Sequence, residues 1–151
     1  MSGPQTFQRI TRDTLEEHRQ IHFYLDQVAV SLRGLRDGLD DPEPMRRLAA
    51  QIEGLKERLV EHHQTEEQGV FQAMLEVMPD CRVEVNRLIN QHEKMIEILE
   101  MARLHASRGE PREADGLRVD LQGFLEMFRR HEHDEEQLLR RTIQRENKVS
   151  D

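Results

Sequence analysis

Two histidine–glutamate pairs with the same spacing are the residues of this chain that could do chemistry. They are His62 with Glu66 and His131 with Glu135, and the members of each pair are four positions apart. Residues four apart lie on one face of an α-helix, so each pair would direct an imidazole nitrogen and a carboxylate oxygen to one point. Nitrogen and oxygen donors without sulfur are typical of sites for iron, zinc, manganese or copper.

A single histidine precedes each pair, so the two halves of the chain repeat. Glu17-His18 in the first half matches Gln91-His92 in the second. Apolar residues stand at matching positions before the two pairs, which predicts that the paired histidines point into a helical core. A glutamate buried there costs several kcal/mol unless a cation meets it. The repeat therefore predicts a buried centre for two metal ions, with the candidate ligands His18, His62, Glu66, His92, His131 and Glu135.

Six protein ligands for two ions would leave coordination positions open. Dioxygen, nitric oxide or peroxide are small ligands that could use them. Iron is the metal that we expect, with zinc or manganese as alternatives. The order His-x-x-x-Glu differs from the Glu-x-x-His of ferritin-like bundles, and a shell rich in neutral histidine should favour the ferrous state.

Four long segments of helical residue types must position these ligands. Apolar residues recur in each segment at a spacing of three or four, and no segment alternates with the period of a strand. The predicted helices run from Thr11 or Asp13 to Asp37, from Pro42–Pro44 to the residue before Pro79, from Asp80 to about Ser107, and from between Pro111 and Leu117 to about Glu146. Gly38 is placed to end the first helix.

These segments predict an all-α fold, an antiparallel up-down-up-down four-helix bundle. The predicted bundle covers residues 11–146, after an N-terminal arm at 1–10 and before a polar tail at 147–151. Such bundles build metal sites from side chains on facing helices, so the predicted fold and the predicted site agree.

Composition excludes several other classes of function. The net charge is −8 and basic residues do not cluster, which argues against a nucleic-acid partner and against a basic membrane-surface helix. No apolar run is long enough to span a membrane, and Met1-Ser2-Gly3-Pro4 lacks the features of a secretory signal. We therefore expect a cytoplasmic protein. The single cysteine, Cys81, excludes an intramolecular disulfide.

At these residues the chain resembles the hemerythrin-like, or HHE cation-binding, family. The resemblance spans about Thr11 to Gln144. It rests on Glu17-His18, His62-x-x-x-Glu66-Glu67, Gln91-His92 and His131-x-x-x-Glu135-Glu136. It implies a four-helix bundle around a non-haem di-iron centre with oxo or hydroxo and carboxylate bridges. By this resemblance Glu66 and Glu135 would bridge the ions, and the four histidines would be terminal ligands. Roles in the family include oxygen carriage, oxygen or redox sensing, iron homeostasis and responses to nitric oxide or peroxide.

The chain departs from the oxygen-carrying hemerythrins at two positions. Ile96 stands where those proteins have a second histidine on the third helix, and Glu135 replaces an aspartate that lies one residue later. His22 follows His18 by four residues and is our candidate for a substitute ligand, against a supporting or merely buried role. The remaining histidines, His63, His105 and His133, are predicted to be solvated or to lie at the rim of the site.

Three functions remain open from the sequence. The first is a di-iron protein that binds or senses dioxygen or a related small molecule. The second is a di-iron oxidoreductase, either catalase-like or handling nitric oxide. The third is an iron or zinc store, or a structural metal-binding domain. Because no signalling domain is apparent in the sequence, a sensor would need a separate protein partner.

Overall fold

The computed structural model describes residues 4–35 and 41–150, which are almost entirely helical. Five α-helices carry this part of the chain: α1 Pro4–Gly34, α2 Glu43–Gln68, α3 Val70–Val77, α4 Arg82–Ser107 and α5 Ala114–Ser150. Short 3-10 turns at Pro79–Cys81 and Pro111–Glu113 precede α4 and α5. The described residues contain no strand. The predicted all-α fold is confirmed.

The helices close into a four-membered bundle in which α2 and α3 together form the second member. The α2 helix packs against α1 and α4, and α5 packs against the same two helices from the other side. The apolar interior is divided into two clusters. One contains Ile21, Leu59, Met95 and Phe128, and the other contains Phe7, Val70, Leu88 and Leu138.

The order of these clusters along the helices shows that neighbouring helices run in opposite directions. On α1 the chain passes from the Phe7 cluster to the Ile21 cluster, and along α2 and α3 it passes back. The α4 and α5 helices repeat this alternation. The candidate ligands lie between the two clusters on every helix, so one polar layer crosses the bundle at a single level.

Gly69 interrupts the second predicted helix, which the sequence pattern would carry without a break from Pro42–Pro44 to Pro79. Its backbone has φ −114° and ψ −87°, but its amide still donates to the carbonyl oxygen of Thr65 at 2.9 Å. A Cβ atom at this position would lie 2.9 Å from that same oxygen. The irregularity therefore needs glycine because of this close approach, and it lies only three residues beyond Glu66.

The first helix begins earlier than the sequence predicts. Residues 4–10, expected to be an arm, are helical, and Phe7 is 2% exposed in the cluster with Phe71 and Met74. Phe7, Thr11 and Thr14 are buried at a spacing of three or four residues, so the buried stripe of α1 extends toward the N-terminus beyond His18. At the other end, α5 continues to Ser150 through residues predicted as a polar tail. The predicted stop at Gly38 lies outside the described residues.

None of the described helices combines the length and the apolar composition that crossing a membrane requires.

Replacing Phe7 with alanine tests whether the first turns of α1 belong to the folded bundle. Because Phe7 is buried, we expect Phe7→Ala to lower the free energy of unfolding by about 3 kcal/mol, as measured by urea denaturation. Phe23 lies on the same helix and is 62% exposed, so Phe23→Ala should change that free energy by less than about 0.5 kcal/mol. Equal effects of the two substitutions would contradict the packing of the N-terminal turns.

Candidate metal centre

Six of the seven predicted ligands meet in the polar layer. All six are buried, and Glu135 has no exposed surface at all. They come from α1, α2, α4 and α5, so each of the four long helices contributes. In every histidine of the group it is the Nε2 atom that points inward. The six are His18, His62, Glu66, His92, His131 and Glu135.

The first group of donors joins α1 and α2. His62 Nε2 lies 3.0 Å from Glu66 Oε1, and His18 Nε2 lies 3.7 Å from Glu66 Oε2. His18 Nε2 also lies 3.3 Å from Glu135 Oε1. One ligand atom each from His18, His62 and Glu66 falls within a 4.8 Å span, which is close enough for a single ion to reach all three.

The second group joins α4 and α5 and shares Glu66 with the first. His131 Nε2 lies 3.2 Å from Glu135 Oε2, and His92 Nε2 lies 3.3 Å from Glu66 Oε1. The two histidine Nε2 atoms approach each other to 3.1 Å. Ligand atoms of Glu66, His92, His131 and Glu135 also fit within 4.8 Å. Both glutamates thus lie between two pairs of histidines.

Two residues that the sequence left without a role orient the paired histidines. Glu17 Oε2 lies 2.7 Å from His62 Nδ1, and Gln91 Oε1 lies 2.7 Å from His131 Nδ1. A partner at Nδ1 turns the Nε2 lone pair toward the centre and is typical of metal-ligating histidine. The repeat contained the signal, since Glu17 and Gln91 occupy the same position before the single histidine of each half.

The structure does not bring His22 to the group, so the prediction of a substitute ligand there lacks geometric support. Its side chain is 49% exposed, and Nε2 lies 2.9 Å from both carboxylate oxygens of Glu132 on α5. The physical reason is the course of the buried stripe on α1, which passes from His18 to Ile21 and Leu25. A step of four residues rotates about 40° beyond a full turn, and here that rotation carries His22 to the surface.

His63 is the residue that sequence reasoning missed. It was predicted to be solvated or at the rim, but it is 4% exposed. Its ring stacks on the ring of His92 with centroids 3.6 Å apart and an interplanar angle of 6°. The α2 helix packs between α1 and α4 and therefore buries a wide face, so the consecutive residues His62 and His63 are both buried. The His62-His63 doublet was the available signal. By contrast, His133 is exposed, as predicted.

The buried carboxylates and histidines of this layer shift one another's pKa values. Burial, together with the neighbouring carboxylate of Glu135, raises the pKa of Glu66 to about 6. Burial alone would raise the pKa of Glu135 too, but its contacts with Glu66, His131 and His18 hold that pKa well below its usual value. Burial would lower the pKa of His18, but the two glutamates raise it to about 10. Among the described residues, the negative charge is therefore balanced by protonated histidine, and a protonated nitrogen has no lone pair left for a metal.

The glutamates also test whether the residues fit a metal. Within the described ranges, no residue makes a well-aligned hydrogen bond to either oxygen of Glu66 or of Glu135, and no lysine or arginine pairs with them. Buried carboxylates without such partners are costly. Four inward Nε2 atoms and two carboxylates supply the imidazole and oxygen donors of a transition-metal site. The donor set fits metal ions.

The metal-free protein should lose stability in acid through His63. Burial, followed by the charges of His131 and His62, lowers the pKa of His63 to about 3. Between that pH and 6.5 the unfolded state binds a proton that the folded state does not, so this contribution to stability is present above pH 6.5 and lost below it.

In chelator, His63→Phe should therefore be less sensitive to acid than the wild type. Between pH 7 and pH 5 we expect its free energy of unfolding to fall by about 2 kcal/mol less, as measured by urea denaturation at each pH. His133→Gln, on the exposed face, should follow the wild type. The same pH dependence in all three proteins would contradict the buried, neutral state of His63.

Comparison with known proteins agrees with this geometry. The family model of the hemerythrin HHE cation binding domain matches residues 9–143. The comparisons with curated proteins and with solved structures gave no match. The matched range contains all six converging ligands and covers most of the chain, so this helical, cation-binding chain belongs to the hemerythrin HHE cation-binding domain family.

Proposed function

We propose that this protein holds a pair of non-haem iron ions and binds or senses dioxygen, nitric oxide or peroxide there. The observation that carries the proposal is the position of Glu66 and Glu135 between two histidine pairs. A carboxylate in that position could offer one oxygen to each of two ions: Glu135 Oε1 lies 3.3 Å from His18 Nε2, and Glu135 Oε2 lies 3.2 Å from His131 Nε2.

Access from the surface to the centre favours iron over a closed structural zinc site. If both glutamates are shared, each ion receives two nitrogens and two oxygens. Four donors would complete a tetrahedral zinc site, whereas iron with histidine and carboxylate ligands keeps positions open for oxygen chemistry. A cleft of about 400 Å³ reaches His92, and a smaller one of about 110 Å³ reaches His62. Such access suits a small ligand and has no use in a closed structural site.

The protein's own residues supply orientation and exclusion of water. Glu17 and Gln91 hold the imidazoles of His62 and His131 with Nε2 inward. The apolar clusters on both sides of the layer keep bulk water out, which strengthens the electrostatic interactions inside. Iron, when bound, would supply the reversible redox change and the affinity for small ligands.

A di-iron oxidoreductase is the second candidate, and the position of Glu67 favours it. This carboxylate lines the larger cleft and lies 3.7 Å from Nδ1 of His92. Turnover of peroxide needs a group that moves protons near the reacting ligand, and Glu67 is placed between solvent and the centre. Storage of iron or zinc, or structural metal binding, is the third possibility, and a bound metal that does not respond to dioxygen, peroxide or nitric oxide would favour it.

An anaerobic ferrous preparation should discriminate these functions when it is exposed separately to dioxygen, peroxide and nitric oxide. We expect a new absorption spectrum with dioxygen or nitric oxide that reverses when the gas is removed. Sustained evolution of oxygen from peroxide would instead favour the oxidoreductase. Zinc without iron after growth in iron-replete medium would contradict the di-iron proposal.

Removing either shared glutamate should lower metal content without unfolding the bundle. We expect Glu66→Ala and Glu135→Ala each to lose most of the bound iron, because the remaining histidines cannot hold two ions without the shared oxygens. Iron would be measured by elemental analysis and helical content by circular dichroism. Glu57→Ala, on the exposed face of α2, is the matched control and should keep wild-type iron content. Full iron content in both test variants would contradict their bridging role.

A further inference from the structure

We propose that small ligands reach the centre through the cleft between α2 and α4, and that the ring of His63 must move to admit them. His63 would then determine which ligands enter by their size. This inference rests on the proposed function, because it assumes that a small molecule binds at the centre.

The cleft leads directly to a candidate ligand. Its wall includes His92, which is only 2% exposed. Its volume of about 400 Å³ is many times the roughly 30 Å³ that one water molecule occupies in the liquid, so it accommodates both a diatomic ligand and a displaced imidazole ring. The residues lining it are Val60, His63, Gln64, Glu67, His92, Glu93 and Ile96.

Two rings stack on His92, those of His63 and Phe71. The ring of Phe71 lies 5.5 Å from that of His92 at an interplanar angle of 19°, and Phe71 is fully buried. His63 stacks on His92 more closely, with centroids 3.6 Å apart, and lines the cleft beside it. Among the described residues none makes a hydrogen bond with the His63 ring, so it is held by stacking and packing without a directional bond. The His63 ring is therefore the member of this stack that can move.

In the second half of the chain the position that matches His63 is Glu132, and its side chain is held by a polar contact. Glu132 follows His131 as His63 follows His62, and it lies 3.7 Å from Nδ1 of His18. Unlike His63, Glu132 is tied down, since His22 lies 2.9 Å from both of its oxygens. The position that matches His22 is Ile96, which offers no polar atom to hold His63. The repeat therefore leaves one half closed by a hydrogen-bonded pair and the other by a stacked ring.

The smaller cleft, beside His62, is also tied by polar contacts. Glu17 bonds to His62, and Arg58 donates to the side-chain oxygen of Gln20 across α1 and α2. Its volume is about 110 Å³. Opening it would break these polar contacts, whereas displacing His63 breaks a stacking contact but no hydrogen bond. The geometry thus favours the α2–α4 cleft as the route.

The first test measures azide association with the iron-loaded protein by stopped-flow absorption. We expect His63→Ala to raise the association rate about tenfold by removing the ring that gates access, with iron content unchanged. His63→Phe retains a stacked ring without nitrogen and should stay within about twofold of the wild type, as should His133→Ala on the exposed face. An unchanged rate in His63→Ala would overturn the inference. Equal loss of iron in His63→Ala and His63→Phe would also overturn it, because that pattern marks His63 as a metal ligand.

The second test needs no metal and separates this inference from the proposed function. In the metal-free protein, diethyl pyrocarbonate modifies accessible neutral imidazoles, and peptide mass spectrometry would follow the modification of His92. His63→Ala should speed that modification about tenfold, and His63→Phe should not. If this result appears in a protein that takes up no iron, the route stands and the di-iron proposal fails. If His92 reacts equally in all variants, the route is wrong whatever metal the protein binds.

Discussion

The burial of two carboxylates in the middle of the bundle is the constraint on which the rest of the structure depends. Glu66 and Glu135 are almost completely inaccessible, and no described lysine or arginine neutralises them. Desolvating such groups costs several kcal/mol each unless a cation or strong donors compensate. The carboxylates raise the pKa values of His18 and His62, which supply part of that compensation by protonation. Metal ions would supply it while leaving the imidazoles neutral. Stability and metal binding are therefore set by the same few side chains.

This polar layer also requires the four helices to meet at one level. Each of the four members of the bundle passes from one apolar cluster to the other and carries its candidate ligands between the two. A shift of one helix by a single turn, about 5.4 Å, would bring apolar side chains opposite the carboxylates and remove their histidine partners. Packing of the two clusters therefore holds the donor atoms of the site in register.

The two halves share their ligands but differ in the residues just outside them. A carboxylate, Glu17, holds His62, whereas the neutral amide of Gln91 holds His131. An anionic partner makes an imidazole a stronger donor than a neutral one does, so the two histidine pairs would offer a bound metal unequal donors. The two halves also differ beside the candidate ligands: Glu132 is held by His22 in one half, whereas His63 is held only by stacking in the other. A chain built as a repeat thus presents two distinct sides to a ligand.

The sequence by itself determined the fold class and the family, and it identified the six side chains that converge, because the helical period places residues four apart on one face and the repeat shows which faces match. It could not predict that Phe7 belongs to the core, since polar residues separate it from the main apolar stripe. Only the tertiary structure decided which of His22 and His63 is buried beside the centre. Their surroundings depend on which neighbouring helix each one contacts. His22 pairs at the surface with Glu132 of α5, and His63 stacks in the interior on His92 of α4. Periodicity within one helix carries no information about such contacts between helices.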